Sequence, residues 1–363
     1  MRIAIAIDSL AGGGAEKVML TLAKQFMAMG HETHFIVMYS SVFYELPPEL
    51  PVHVCFDGKD KDFDRAFHLK SAVSRLKNKI AAIEAEVGKF DLFLSNLDKT
   101  NNLMTKVGVS PLYVIVHASV EEELQRSAKL GPFSYFKKRQ AKKALNGQRL
   151  ITVSEGIANE IKASKLITPL SIQTIYNPFE FNEITELASH EVVDTPSGDY
   201  LIHVGRVVKQ KRHDILFQAI AKMESQIPVV LLCHNPKKAL KMAEKYGVAE
   251  RVIVHGFQSN PFPWIKGAKA LFLSSDFEGL PTVLIEALAC GIPVVSTDCP
   301  HGPKEILTGE LTRFLVPRRN PEALANKLDE MLISPPKLNE IDILQKVDAA
   351  RIAQEYLNLV KQF

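Results

Sequence analysis

The feature of this sequence that most limits its fold is the alternation of short apolar runs with helical patterns along the whole chain. Apolar runs of strand length that alternate with amphipathic helices predict parallel sheets covered by helices. In the first half we expect strands at residues 2–7, 33–38, 52–55, 92–94, 113–116 and 150–153. In the second half we expect them at residues 200–204, 229–233, 252–254, 270–273 and 293–296. The predicted fold class is therefore α/β.

The alternation is interrupted by a polar stretch at residues 183–198 that has no strand pattern. The chain has 363 residues, and a typical domain has about 150, so we expect two doubly wound domains. We place the boundary at Asn177-Pro178, which gives domains 1–177 and 178–345. The net charge of +3 is too small to indicate a nucleic-acid partner, and none is expected.

Cysteine usage and the apolar runs bear on the compartment. The four cysteines are scattered and form no Cys-x-x-Cys pair, which fits reduced thiols in a reducing compartment. The chain opens directly into a strand-length apolar run at residues 3–7 without a cleavage signature, so we expect no signal peptide. No uncharged apolar run reaches the roughly 18 residues that a spanning helix needs. We expect a cytoplasmic protein, and contact with the cytoplasmic face of the inner membrane stays open.

Residues 274–291 place two glutamates eight positions apart around an apolar helix pattern. Glu278 lies in a predicted turn, whereas Glu286 lies inside the helix, where a buried carboxylate is costly unless hydrogen-bond donors are supplied. Pro281 suits the first turn of this helix and Gly291 the position just past its end. The hydroxyls of a ligand could donate to Glu286, and the helix N-terminus favours an anion. A sugar nucleotide offers both groups; the alternative is that the glutamates bind local backbone or an arginine.

The string Glu-Gly-Leu-Pro-Thr-Val-Leu-Ile-Glu-Ala-Leu at residues 278–288 resembles the consensus of the family 4 glycosyltransferases, which are retaining enzymes of GT-B fold. This resemblance implies two Rossmann-like domains facing across a cleft, with a C-terminal helix within 346–363 that crosses back onto the first domain. The first domain would bind the acceptor and the second the nucleotide sugar. The resemblance also implies that Glu278 contacts the donor sugar and that Glu286 holds the ribose. Backbone groups at three further positions would meet the diphosphate: Leu280, Thr282 and Val283.

A glycine-rich turn joins the first predicted strand to a helix at residues 15–29. Glycines let the backbone approach a ligand closely, and a helix start can bind phosphate, although a tight turn without a ligand is the alternative. The dinucleotide fingerprint Gly-x-Gly-x-x-Gly is not met, because Lys17 occupies its last position. Residues 13–16 instead resemble the Gly-Gly-Ala-Glu loop of the family, which implies that Gly13 and Gly14 bind substrate.

Two cations, Arg206 and Lys211, follow the strand predicted at residues 200–204. The carboxyl end of a strand is where an open α/β sheet binds its ligand. Cations there can neutralise a diphosphate and the charge that grows as it departs, which is the role of their equivalents in the family. The alternative is a solvated basic turn, to which we assign Lys209 and Arg212.

His117 ends the strand predicted at residues 113–116 and resembles the histidine near the reaction centre of the family, which positions the donor sugar. A structural histidine is the alternative. The formal Asp-x-Asp patterns at residues 60–64 lie in a polar loop, and we interpret them as solvated charge. The remaining histidines lack metal-ligand spacing. We therefore expect neither a metal nor a cofactor.

Two segments, 65–83 and 126–149, carry many Lys and Arg residues and no acid. The first has an apolar face, and the second has aromatic residues interleaved with its cations. Both lie in the predicted acceptor domain. An anionic acceptor or peripheral contact with an acidic membrane would fit them, and so would solvated helix faces.

The sequence also departs from the family. Many relatives carry Gly-Asp-Gly-Pro where this chain has Cys-His-Asn-Pro at residues 233–236, and Thr312 replaces the second glycine of a later Gly-x-x-Gly. Residues 298–307, in contrast, resemble a subgroup that builds bacterial surface polysaccharide and lipid-linked sugars.

The function that the resemblance implies is a retaining, metal-independent transfer of a hexose or N-acetylhexosamine. The expected donor is a nucleotide diphosphate sugar, with UDP as the nucleotide. The expected acceptor is a saccharide hydroxyl of lipopolysaccharide core or of a lipid-linked oligosaccharide. Three alternatives stay open: a sugar-nucleotide epimerase of the same fold, a nicotinamide oxidoreductase, and a non-catalytic nucleotide-binding protein.

Overall fold

The computed structural model describes residues 1–11, 13–41, 46–56, 68–191 and 196–362. The chain forms two compact units. Unit 1 contains Met1–Phe179 together with Val347–Phe363, and unit 2 contains Glu180–Lys346. Both breaks lie within two residues of the boundaries expected from the sequence.

Unit 1 is built on a seven-stranded parallel sheet in the order β3-β2-β1-β4-β5-β6-β7. The helices and strands of its N-terminal part are β1 (Arg2–Ile7), α1 (Gly14–Ala28), β2 (Glu32–Val37), β3 (Val52–Val54), α2 (Leu69–Val87), β4 (Leu92–Asn96), α3 (Asp98–Val107), β5 (Leu112–Val116), α4 (Val120–Ala128), α5 (Pro132–Lys143), β6 (Arg149–Thr152), α6 (Glu155–Ser164) and β7 (Ser171–Thr174). The central strands are buried on both faces, as expected of a parallel sheet covered by helices.

Unit 2 has a six-stranded parallel sheet in the order β10-β9-β8-β11-β12-β13. Its helices and strands are α7 (Phe181–Leu187), β8 (Leu201–Val204), α8 (His213–Lys222), β9 (Val229–Leu232), α9 (Pro236–Lys245), β10 (Val252–His255), α10 (Phe262–Lys266), β11 (Ala270–Leu273), α11 (Thr282–Ala289), β12 (Val294–Thr297), α12 (Pro303–Ile306), β13 (Leu315–Val316), α13 (Pro321–Ile333) and α14 (Asp342–Lys346). The prediction of an α/β fold with two Rossmann-like sheets is confirmed.

The strand order reverses next to β1 in unit 1 and next to β8 in unit 2. At such a switch point the loops leaving two adjacent strands diverge to opposite faces of the sheet and open a crevice at its carboxyl edge. In unit 1 this point lies between β1 and β4, and in unit 2 between β8 and β11. Each unit therefore has one preferred position for a ligand.

Two strands, β7 and β13, have no counterpart in the sequence prediction. β7 is Ser-Ile-Gln-Thr, and none of its side chains is fully buried. β13 consists of two residues. Neither strand contains an apolar run long enough to be recognised as a strand.

The last helix, α15 (Ala349–Asn358), belongs to unit 1, where it packs on α1. The ring of Tyr356 meets the edge of Phe26 with 6.4 Å between the centroids. The hydroxyl of Tyr113 donates to the carbonyl oxygen of Leu359 at 3.2 Å. The return of the C-terminal helix to the first domain is thus confirmed, although the helix ends at Asn358 and a 3-10 turn, Leu359–Gln362, follows it.

Replacing Tyr356 by Ala should destabilise unit 1 by about 3–5 kcal/mol, the usual cost of truncating a large buried aromatic side chain. Tyr356 is 1% exposed, so the substitution leaves a cavity against Phe26. Denaturant unfolding measures the loss, and Gln354→Ala, on the exposed side of the same helix, is the control that should change little. Equal stability of the two variants would show that α15 does not support unit 1.

Candidate functional site

The carboxyl edge of the unit 2 sheet is formed by the loops that leave β8 and β11, and hydrogen bonds join these loops. The side-chain amide of Gln210 donates to the carbonyl oxygen of Phe277 at 2.8 Å, and the backbone N–H of Asp276 donates to that of Gln210 at 2.8 Å. The hydroxyl of Ser274 donates to the carbonyl oxygen of Lys211 at 2.8 Å. These bonds fix the two loops relative to each other at the switch point of unit 2.

Lys211 and Glu278, both predicted site residues, form an ion pair across the two loops. The Lys211 Nζ lies 2.7 Å from the Glu278 Oε1, and their side chains are 17% and 9% exposed. A carboxylate this well buried needs a charged donor, and the ammonium supplies it. Because an ammonium has three N–H donors, the bond to Glu278 leaves Lys211 able to donate to a ligand as well.

Arg206, the other predicted cation, is exposed in the loop after β8. Its guanidinium makes no hydrogen bond or ion pair with the part of the chain that the structure describes. Arg206 and Lys211 both lie in the loop that leaves β8, so this loop carries two cations at the carboxyl edge of the sheet. Lys209 of the same loop is exposed too, in agreement with its assignment to the solvated turn.

The assignment of Arg212 to a solvated turn is wrong. Its Nε and Nη2 donate to the carboxylate of Asp214 at 2.8 and 2.7 Å, and its Nη1 lies 3.1 Å from both oxygens of Asp276. Arg319 donates to the same two oxygens of Asp276 at 2.9 and 3.0 Å. Arg212 and Asp276 therefore hold the two loops in place. The sequence did not reveal this role, because Arg212, Asp276 and Arg319 lie far apart along the chain.

α11 follows the second loop. Its N-cap is Pro281, one position earlier than the first-turn placement expected from the sequence, while Gly291 adopts φ +75° just past the C-cap as expected. Thr282 begins the helix and is half-buried, and Leu280 and Val283 are buried. Glu286 is 7% exposed within the apolar helix. The N-terminal turn of α11 thus lies next in sequence to the Glu278 loop.

Gly302 fixes the approach to α11, a role that the sequence did not reveal. It adopts φ +93°, and a Cβ at this position would lie 2.6 Å from the Pro281 Cδ and 2.7 Å from the Gly279 carbonyl oxygen. The neighbouring backbone forms further bonds, since Glu278 N–H donates to the Pro300 carbonyl oxygen at 2.7 Å. The loop after β12 therefore presses against the residues that connect Glu278 to its helix.

In unit 1, His117 follows β5 directly. Its Nε2 lies 2.8 Å from the Asn96 Oδ1, and the Asn96 amide nitrogen donates to the Ala6 carbonyl oxygen at 3.3 Å. This orientation of Asn96 makes its Oδ1 the acceptor, so Nε2 carries the proton of the neutral ring and Nδ1 is the unprotonated nitrogen. Burial lowers the pKa of His117 to about 4, so the imidazole is neutral at pH 7 and can accept a proton or a hydrogen bond at Nδ1.

His117 lines a cavity of about 250 Å³ at the carboxyl edge of the unit 1 sheet. The polar side chains of its lining are Asp8, Asp98, Asn101, His117, Glu123, Lys138 and Lys142. Burial also raises the pKa of Asp8, whose Oδ1 accepts from the backbone N–H and the hydroxyl of Thr100 at 3.0 and 2.6 Å. A polar cavity of this kind suits a ligand rich in hydroxyl groups.

The glycine turn of unit 1 starts α1. Gly13 is the N-cap, in an extended conformation with φ −112°, and Gly14 is the first helical residue. Neither glycine lines the cavity described above. Their predicted contact with substrate stays a prediction, and Gly12 lies outside the described residues.

The Asp-x-Asp patterns at residues 60–64 also lie outside the described residues. Within the described ranges, no group of three or more His, Cys, Asp or Glu side chains is arranged to hold a metal ion. In the same ranges, none of the helices is both long enough and apolar enough to cross a bilayer.

Gly302→Ala should lower stability by about 2–5 kcal/mol, because a left-handed backbone costs a Cβ about 1–2 kcal/mol and overpacking against backbone atoms a further 1–3 kcal/mol. Gly309→Ala is the matched control, since Gly309 has φ +57° and open space around its Cβ position. It should lose only the backbone contribution. Thermal and denaturant unfolding compare the two variants; equal losses would mean that the contact of Gly302 with Gly279 and Pro281 is not constraining.

Comparisons with known proteins cover nearly the whole chain. The family model described as Glycosyltransferase Family 4 matches residues 12–183, and the one described as Glycosyl transferases group 1 matches residues 189–343. One relative is 24% identical over 91% of this chain and 90% of its own length. It is an N-acetylgalactosamine-N,N'-diacetylbacillosaminyl-diphospho-undecaprenol 4-alpha-N-acetylgalactosaminyltransferase of Campylobacter jejuni. A lipopolysaccharide 1,6-galactosyltransferase of Salmonella typhimurium is 33% identical over 44% of this chain and 47% of its own.

Solved structures agree on the fold. The structure of Anabaena Alr3699/HepE in complex with UDP and glucose has a TM-score of 0.76 at 17% identity and covers 100% of both chains. The apo form of the lipopolysaccharide outer core galactosyltransferase WaaB has a TM-score of 0.70 at 20% identity, covering 100% of this chain and 99% of that one. The chain is a glycosyltransferase of GT-B fold and belongs to glycosyltransferase family 4.

Proposed function

We propose that this enzyme transfers a hexose or N-acetylhexosamine from a UDP-sugar, with retention of configuration, to a saccharide hydroxyl of lipopolysaccharide core or of a lipid-linked oligosaccharide. The observation that carries the proposal is the Lys211–Glu278 ion pair next to the exposed Arg206, at the ligand-binding edge of unit 2. The names of the relatives support the acceptor class, since they specify an undecaprenol-linked saccharide and lipopolysaccharide. The Anabaena complex with UDP and glucose supports the donor class. The enzyme would act in the cytoplasm, at the membrane that holds such acceptors.

The two cations bind the diphosphate. Arg206 has its whole guanidinium available, and Lys211 retains two N–H donors beyond the one it gives to Glu278. As the bond from the sugar to the diphosphate breaks, negative charge grows on the departing oxygen, and donors fixed beforehand stabilise that charge most. The loop contacts through Gln210 and Ser274 keep these donors in place.

The glutamates bind the hydroxyl groups of the donor. Glu278 accepts from the sugar while Lys211 balances its charge, and Glu286 accepts from the ribose. The first turn of α11, which contains Thr282 and Val283, lies between Glu278 and Glu286 in sequence. Its backbone N–H groups and the backbone of Leu280 meet the diphosphate. In unit 1, the Nδ1 of neutral His117 accepts from a substrate hydroxyl.

Retention follows without a nucleophile from the protein. The Glu278 carboxylate, held by Lys211 at 2.7 Å, is a hydrogen-bond acceptor of reduced nucleophilicity. The acceptor oxygen forms its bond to the anomeric carbon on the side from which the diphosphate leaves. Its proton passes to an oxygen of the departing phosphate, so atoms and charge balance without metal or cofactor.

Arg206→Ala and Lys211→Ala should each lower turnover several hundred-fold, as expected for the loss of one donor to a developing oxyanion. Lys209→Ala, which removes an exposed cation from the same loop, is the control and should stay close to wild type. The assay measures UDP release from a panel of UDP-sugars, with lipopolysaccharide core or undecaprenol-linked oligosaccharide as acceptor. Product analysis identifies the new linkage and its configuration.

Three results would contradict the proposal. Near-normal rates in both the Arg206 and Lys211 variants would remove the assigned roles. Conversion of the donor to an isomer without any acceptor would indicate an epimerase. UDP binding without UDP release, whichever acceptor is added, would indicate a non-catalytic nucleotide-binding protein.

A further inference from the structure

α5 of unit 1 turns two of its lysines inward and two of its aromatic side chains outward. On the inner side, the Lys142 Nζ lies 2.7 Å from the Asp98 Oδ1 and 2.7 Å from the Glu123 Oε2. The Lys138 Nζ lies 2.6 Å from the Asp98 Oδ2 and 3.1 Å from the Glu123 Oε2. These pairs fix which face of the helix points into unit 1, and two of its lysines are therefore not part of a solvated basic surface.

Large apolar side chains occupy the outer side and the turn before it. Phe133 is 83% exposed, Phe136 is 62% exposed, and Leu130, between α4 and α5, is 70% exposed. We call these three residues the α5 patch. A helix that faces water normally buries its apolar side chains, whereas α5 exposes Phe133 and Phe136 and buries Lys142. Exposed apolar clusters on a folded protein mark surfaces that meet something other than water.

The α5 patch is surrounded by positive charge. The exposed cations along this part of the chain are Arg126, Lys129, Lys137, Arg139 and Lys143. The segment 126–149 contains no acidic residue. Of the three glutamates that precede it in α4, Glu123 is paired with Lys138 and Lys142. An apolar centre bordered by cations is complementary to an anionic lipid surface, whose headgroups are negative and whose interior is apolar.

The second basic segment of the sequence shows no such centre in its described part, residues 68–83. In α2 the predicted apolar face is directed inward, with Leu76, Ile80 and Ile83 buried in unit 1. The exposed side of α2 is largely polar and includes the cations Lys70, Arg75, Lys77 and Lys79. Within residues 68–83, the described part of that segment, no large apolar side chain is exposed, whereas the segment 126–149 exposes three.

We propose that the α5 patch docks unit 1 onto an anionic bilayer, with Leu130, Phe133 and Phe136 inserted at the headgroup–acyl boundary and the surrounding cations bound to anionic headgroups. A second copy of the chain fits less well. A two-fold contact would place the same surface on both partners, and the cations of one copy would face the cations of the other. This docking is independent of the proposed function, since it uses none of the unit 2 residues assigned to the donor.

Co-sedimentation with vesicles tests the docking. Wild-type protein should bind vesicles that contain phosphatidylglycerol and bind pure phosphatidylcholine vesicles at least about tenfold more weakly, because electrostatic attraction adds to apolar insertion. The double variant Phe133→Ser/Phe136→Ser should lose about tenfold or more in affinity for the anionic vesicles. Ile333→Ser, which removes an apolar side chain that is 85% exposed in unit 2, is the matched control and should bind like wild type.

A charge variant gives a second, separate measurement. Arg139→Gln/Lys143→Gln should weaken binding to anionic vesicles and reduce its dependence on salt, because fewer cations meet the headgroups. Unfolding midpoints and UDP binding report that both variants are folded. UDP release with a water-soluble acceptor reports on transfer without the membrane, so failure of docking and failure of the proposed function are distinguishable.

The proposal is overturned if wild type does not sediment with phosphatidylglycerol vesicles, or if the phenylalanine double variant, folded by the measurements above, binds them like wild type. It is also overturned if the phenylalanine substitutions convert a dimer into a monomer in size-exclusion chromatography while vesicle binding persists, because the patch would then be a contact between copies.

Discussion

The carboxylate of Glu278 is almost completely shielded from water, and the Lys211 ammonium 2.7 Å away makes that burial tolerable. The pair depends on two loops that leave adjacent strands at the switch point of the unit 2 sheet. Those loops stay together because Gln210, Ser274 and Asp276 bond across them. The position of the Lys211 ammonium at the carboxyl edge of the sheet therefore depends on the strand order, on the bonds between the two loops and on the ion pair.

The sequence predicted the strands within one or two residues wherever they are buried on both faces, because such strands are continuous apolar runs. It missed β7, whose side chains are only partly buried, and the two-residue β13. The buried face of a helix was equally predictable from the spacing of its apolar residues. In α1 the apolar residues at helical spacing are buried: Val18, Met19, Leu22, Ala23 and Phe26.

The sequence identified individual residues of the candidate site, but it did not predict the contacts between them. Lys211 and Glu278 were both singled out, yet nothing in the local pattern showed that they contact each other, since they lie 67 positions apart. Separations of 64 and 43 positions likewise hid the bonds of Asp276 to Arg212 and Arg319. Gly302 was part of a recognised stretch, but the atoms that exclude a side chain there belong to another loop. The basic segment 126–149 left several interpretations open until the ion pairs of Lys138 and Lys142 fixed the orientation of α5.

The course of the backbone through unit 1 has a consequence for its assembly. The chain leaves this unit after Phe179 and re-enters it at Val347, where the N–H of Phe179 donates to the Val347 carbonyl oxygen at 2.8 Å and the N–H of Ala349 to that of Phe179 at 3.0 Å. Unit 2 is contiguous in the chain, whereas the Phe26 ring of α1 packs against Tyr356, which is synthesised after the whole of unit 2. Unit 1 therefore cannot complete its packing along α1 until α15 has been synthesised, and every residue of unit 2 is synthesised before that.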